Sequence, residues 1–178
     1  MDRLKRVAVF IALAGLAAGL YLGTRGHQVL PAKVVAHATT TAAPRLQAID
    51  LEGRSIDTAS YAGKVVMVNF WAAWCTSCAD EIPQFVSLQD KFGSQGFQAI
   101  GISMEDKESA LRRFYLQYKM NYPVIVGNQQ LAQEYGGILG LPTTIVIGRE
   151  GRIHSKHSGV ADVPKLQQEI QELLQVGK

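Results

Sequence analysis

Val65-Val66-Met67-Val68-Asn69-Phe70-Trp71 is an apolar run that passes through Ala72-Ala73-Trp74 into Cys75-Thr76-Ser77-Cys78 and on to Ala79-Asp80-Glu81-Ile82-Pro83-Gln84-Phe85. The first seven residues are rich in β-branched and aromatic side chains and predict a strand buried on both faces. The last ten predict a helix. Cys75 and Cys78 are the chain's only cysteines and sit three apart at the strand-to-helix junction. At a helix N-terminus a sulfur meets unpaired backbone N–H groups and the positive end of the helix dipole, which favours thiolate over thiol. Cys75 is therefore the candidate attacking group. Cys78, one turn further in, is placed to resolve a mixed disulfide from within. A Cys-x-x-Cys pair also occurs as half a zinc site or by chance, but no second pair exists here to complete four ligands.

Working outward, the elements alternate. Leu46–Leu51 and Ser55–Asp57 flank a Glu52-Gly53-Arg54 turn and predict a hairpin. After Phe92 and Gly93 come a strand at Phe97–Ser103, a helix at Lys107–Tyr118 and a short strand at Pro123–Val126. A short helix follows at Gln129–Tyr135, closed by Gly136-Gly137. Thr143–Ile147 and Arg152–His154 predict a strand, turn and strand, and Val163–Val176 a closing helix with Leu166, Ile170, Leu173 and Leu174 on one face. Strands alternating with helices predict an α/β domain, and the late strand-turn-strand makes its central sheet mixed. Pro83 inside the first helix removes a hydrogen bond to Ala79 and predicts a kink.

At the other end, Arg3, Lys5 and Arg6 precede residues 7–24, which carry no charge. That length suits a bilayer span, which needs about 17–25 residues, and exceeds the roughly 7–15 of a secretory apolar region. The small-x-small pattern Ala36-His37-Ala38 comes too late for cleavage, so residues 1–24 are expected to be an uncleaved anchor. The basic start places the N-terminus in the cytoplasm and the remainder outside it. Residues 25–44 sustain neither period and are expected to be a linker to a domain at 45–178.

With 178 residues, 47% hydrophobic and 19% charged, the chain can bury a core, and a net charge of +3 is too small to argue for nucleic acid. His154 and His157 are expected to be solvated rather than metal ligands, so no metal or cofactor is expected.

Asn69–Cys78 resembles the active-site signature of the thioredoxin superfamily. Gly140-Leu141-Pro142-Thr143-Thr144 resembles its second signature, whose proline is cis and faces the cysteines. The resemblance runs from about residue 45 to 176 and implies a thioredoxin-like fold. The anchor, the hairpin, the extra helix and strand at about 107–126, and Glu81 three after Cys78 are similar to the TlpA/ResA branch. Its members are extracytoplasmic thiol-disulfide oxidoreductases, commonly reductants. The resemblance implies Cys75 as nucleophile, Cys78 as resolving thiol, and Trp74, Leu141 and Pro142 at the substrate. From position alone Pro142 is equally a loop proline ahead of a strand.

Two readings are open to Glu81: an acid that accepts and returns the Cys78 proton, or a surface acid favoured by the first turns of a helix. Asn69 favours the first, because thioredoxins carry an aspartate there and an amide transfers no proton. The branch usually has Pro before the second cysteine where this chain has Ser77, which leaves the direction of electron flow open. The expected activity is reduction of disulfides in exported proteins, with a membrane-bound electron donor as the second partner. The alternatives are an oxidase or isomerase running the same exchange, and a redox sensor or metal carrier using the same thiols. A peroxidase lacks support, since Val68–Cys75 has no Pro-x-x-x-Thr-x-x-Cys approach.

Overall fold

In the computed structural model every residue of β3 (Val65–Trp71) is buried, as a central strand covered on both faces demands. The structure describes residues 41–104 and 107–176. The proposed span at residues 7–24 and nearly all of the linker lie outside them, and among the described residues no helix is long and apolar enough to cross a membrane.

β3 pairs in parallel with β4 (Phe97–Met104) and antiparallel with β6 (Thr143–Ile147). β5 (Val124–Gly127) and β7 (Ile153–Ser158) complete a mixed sheet ordered β5-β4-β3-β6-β7. The period-2 alternation of strand side chains divides the core into two layers. On one face Val65, Met67 and Trp71 meet Ile82, Phe85, Leu88 and Phe92 of α1 (Thr76–Phe92). The same layer takes Leu111 of α2 (Glu108–Gln117) and Leu166, Ile170 and Leu174 of α4 (Val163–Gln175). On the other face Val66, Val68 and Phe70 meet Ala132 of α3 (Gln129–Glu134) and the Tyr135 that follows it. Each large apolar side chain removed from water contributes about 1.5–3 kcal/mol, so α1 is held by packing rather than by propensity. It runs unbroken through Pro83.

β1 (Gln47–Ile49) and β2 (Ser55–Asp57) form the expected hairpin. The Asp50 carboxylate accepts from the N–H groups of Glu52 and Arg54 and from the Arg54 guanidinium. Leu51 N–H bonds to Val124 O and ties the hairpin to edge strand β5.

Two boundaries differ from the sequence reading. β7 extends to Ser158 rather than ending at His154, because its outward residues are polar and only Ile153 marks it as a strand. Pairing with the domain reaches residues before Arg45: Ala42 bridges to Arg152, Ala43 N–H bonds to Gly151 O, and Ile153 N–H to Thr41 O. Three residues assigned to the linker are thus sheet edge, a role set by backbone pairing that composition does not show.

Candidate active site

Cys75 is the N-cap of α1, in extended conformation, and its sulfur accepts a hydrogen bond from Cys78 N–H at 3.3 Å. The strand-to-helix turn thus aims an unpaired helix N–H at the sulfur, as the sequence predicted. Ser77 Oγ lies 3.5 Å from the same sulfur. The two cysteines form a disulfide in the structure. Cys75 is 8% exposed and Cys78 1%, so an incoming thiolate reaches Cys75 first.

The second signature meets the first through register. Phe70 pairs with Thr143, which places Pro142 at the end of the sheet where β3 delivers the cysteines. The Leu141–Pro142 peptide is cis. Pro142 O accepts from Gly159 N–H at 2.9 Å, Thr143 Oγ1 donates to Gly140 O at 2.8 Å, and Leu141 packs against the layer holding both cysteines. Trp74 is 66% exposed beside Cys75. Leu139 and Val160, which the sequence reading did not single out, are also large exposed apolar residues on the loops flanking Pro142 and Gly159. Exposed leucine and valine carry no local signal of function; the hydrogen bond from Gly159 N–H to Pro142 O joins the two loops that carry them.

Glu81 is buried at 1% exposure, so the surface reading of this acid fails. Its Oε1 accepts from Ala161 N–H at 2.5 Å, a partner 80 residues away on the loop before α4. Burial pushes the carboxyl above the usual range, against the lowering effect of that hydrogen bond. Cys78 and Glu81 lie at i and i+3 on the buried face of one helix. Asn69 is buried and donates from Nδ2 to Thr144 Oγ1 at 3.0 Å, a bond between strands β3 and β6.

His154 and His157 both lie within β7, which the sequence reading ended at His154. His157 Nε2 is 2.9 Å from Glu169 Oε2 and 3.0 Å from Ser155 Oγ, and Ser155 also donates to Glu169. His154 stands 3.8 Å from the same carboxylate. This cluster pins α4 to β7. Among the described residues no group of three or more His, Cys, Asp or Glu is arranged to hold a metal ion.

Residues 39–156 match the AhpC/TSA family. The chain belongs to that family. It is similar to the thiol-disulfide oxidoreductase ResA of Bacillus thuringiensis, with 28% identity over 131 residues covering 74% of this chain and 76% of the relative. With the ResA of Halalkalibacterium halodurans it shares 34% over 110 residues, 62% of each. A crystal structure of a thioredoxin-family thiol:disulfide interchange protein from Chlorobium tepidum TLS superposes with TM-score 0.72 at 29% identity, covering 77% of this chain and 98% of that one. The fold is thioredoxin-like, and the activity class is thiol-disulfide oxidoreductase with a Cys75–Cys78 pair.

Proposed function

We propose that the chain is an extracytoplasmic, membrane-tethered disulfide reductase. The observation that carries the direction is the buried Glu81. A carboxylate beside the cysteines opposes thiolate charge, which disfavours the reduced dithiolate and makes the pair a better electron donor. In the forward half-reaction the Cys75 thiolate attacks a substrate disulfide and the first substrate sulfur leaves as thiolate. Glu81 takes the Cys78 proton, Cys78 attacks Cys75 Sγ, and the second substrate sulfur departs. The substrate is reduced to a dithiol and the cysteine pair is oxidised.

Trp74, Leu141 and Pro142 are assigned to substrate binding. Support comes from the exposed apolar rim of Trp74, Leu139 and Val160 and from the cis peptide beside the disulfide. Such a rim suits an extended, apolar polypeptide segment, in keeping with disulfide-containing exported proteins as substrates. The tether is residues 7–24, supported by their uncharged length after a basic start. Re-reduction then falls to a membrane-bound electron donor.

One observation favours the reverse direction. Ser77 Oγ close to Cys75 Sγ can hydrogen-bond a thiolate, which stabilises the reduced form and makes the pair more oxidising. Insulin-disulfide reduction by the reduced protein tests the reading: catalytic turnover is expected, with Cys78→Ser stalling at the mixed disulfide. Failure of the wild type to turn over while it oxidises a reduced peptide supports the oxidase instead.

A further inference from the structure

A cavity of about 320 Å³ lies at the end of the sheet opposite the cysteines. Val66, near the start of β3, and Ile147, at the end of β6, pair in register and contribute to its lining. Trp71, where β3 delivers the cysteines, is five residues further along, roughly 16 Å at about 3.3 Å per residue. The rest of the apolar lining comes from Ala43 and Pro44 ahead of β1, and from Ala59 and Tyr61 in the helical turn Thr58–Tyr61.

Four charged residues also line the cavity, and they do not cancel. Arg45 is set off by its ion pair with Asp57. Arg149 donates to Gly63 O at 3.3 Å and to Leu174 O at 2.8 Å, so carbonyl dipoles hold its guanidinium in place without neutralising it. Lys64 is half-buried, makes no ion pair among the described residues, and stands with Nζ 5.4 Å from the centroid of the Tyr61 ring. Against these two cations there is one acid, Glu150, which is exposed and lies against Gly148. Two positive charges less one negative leave one. A single positive charge beside an apolar cavity is complementary to an amphiphilic monoanion.

Size narrows the class. At about 30 Å³ for each water-sized group, the cavity takes roughly ten heavy atoms, the number in an eight-carbon carboxylate. The Thr58 hydroxyl on its wall is engaged with Leu46 N–H, which leaves few polar partners for a sugar or a nucleotide. We propose that the cavity binds a medium-chain aliphatic carboxylate, with the head group at Lys64 and the chain over Pro44, Val66 and Ile147. The site is separate from the thiol chemistry and stands whichever way the exchange runs.

Methyl NMR of the full-length protein in nanodiscs of neutral lipid tests it, with octanoate as the probe and free ligand corrected against empty nanodiscs. Saturable shifts at the Val66 and Ile147 methyls are expected, with cross-peaks to the octanoate chain. Hexanoate, two methylenes shorter, should bind about fifteen-fold more weakly, at about fourfold per buried methylene. Octanol and octylammonium keep the chain but lose or reverse the charge, and both should bind at least about tenfold more weakly than octanoate. Lys64→Gln should bring octanoate down to the level of octanol. Octanol binding as tightly as octanoate overturns the proposal, and this comparison in unmutated protein stands even if Lys64→Gln folds poorly. Methyls that octanoate leaves unshifted, as they would be were the cavity filled by another segment of the chain, overturn it too. If the same shifts arise in nanodiscs of anionic lipid without octanoate, the site takes an intact lipid and the proposal fails.

Discussion

Replacing Glu81 by Gln keeps the shape of the side chain and, through its amide oxygen, the hydrogen bond from Ala161 N–H, but removes the proton-accepting group. A positioned general base contributes about 10²- to 10⁴-fold. Near neutral pH the loss is expected at the lower end, about 10²-fold, because attack by Cys78 can still proceed with solvent as the proton acceptor. Burial holds the Glu81 carboxyl above its usual value of 4.5, so the basic form appears as pH rises through that raised value. The wild-type rate should climb there, level off, and climb again where the thiol itself ionises. Glu81→Gln should show only the upper limb. Stopped-flow reaction of reduced protein with an aryl disulfide separates the steps. The first thiol release reports attack by Cys75 and should change little, while the second reports resolution by Cys78 and should slow. Stability gives an independent sign. A carboxyl whose folded value is raised contributes stability below its unfolded value and loses it, at up to about 1.4 kcal/mol per pH unit, as pH rises through the folded value. Glu81→Gln should abolish that decline. An unchanged second phase across the pH range, in a variant shown to be folded, refutes the role.

Two further perturbations test the frame around the site. His157 is raised above its usual 6.5 by its hydrogen bond to Glu169, against the lowering effect of burial; the stability it adds is present below 6.5 and lost as pH rises through the higher folded value. His157→Gln should flatten that slope by less than about 1 kcal/mol, since the ring is partly exposed, as read by urea titrations at pH 6 and pH 9. Phe85 is fully buried between α1 and the sheet, and Phe85→Ala should cost about 3–5 kcal/mol in the same titrations while leaving the pH profile of Cys78 unaltered.

Much of the site was legible in sequence because its physics is local. A seven-residue apolar run followed by a helical pattern places Cys75 at a helix N-cap, and the turn geometry then distinguishes the more accessible sulfur from the deeper one. Glu81 was legible only in part. Its i+3 relation to Cys78 follows from helical spacing, but its burial depends on a loop 80 residues away that donates Ala161 N–H. Leu139 and Val160 gain their place from the cis turn and the end of β7, which are tertiary facts. β7 was read too short for a related reason: Ile153-His154-Ser155-Lys156-His157-Ser158 has one apolar residue, and its pairing with β6 determines its length.

The proposed reductase requires the effect of the buried Glu81 carboxyl on the sulfur pair to outweigh that of Ser77. The reduction potential of the Cys75–Cys78 pair, measured by redox equilibrium against glutathione, decides between them. A value from about −270 to −200 mV, the range of thioredoxin and the glutaredoxins, is predicted, and a value near −120 mV, that of a strong oxidant, would contradict it.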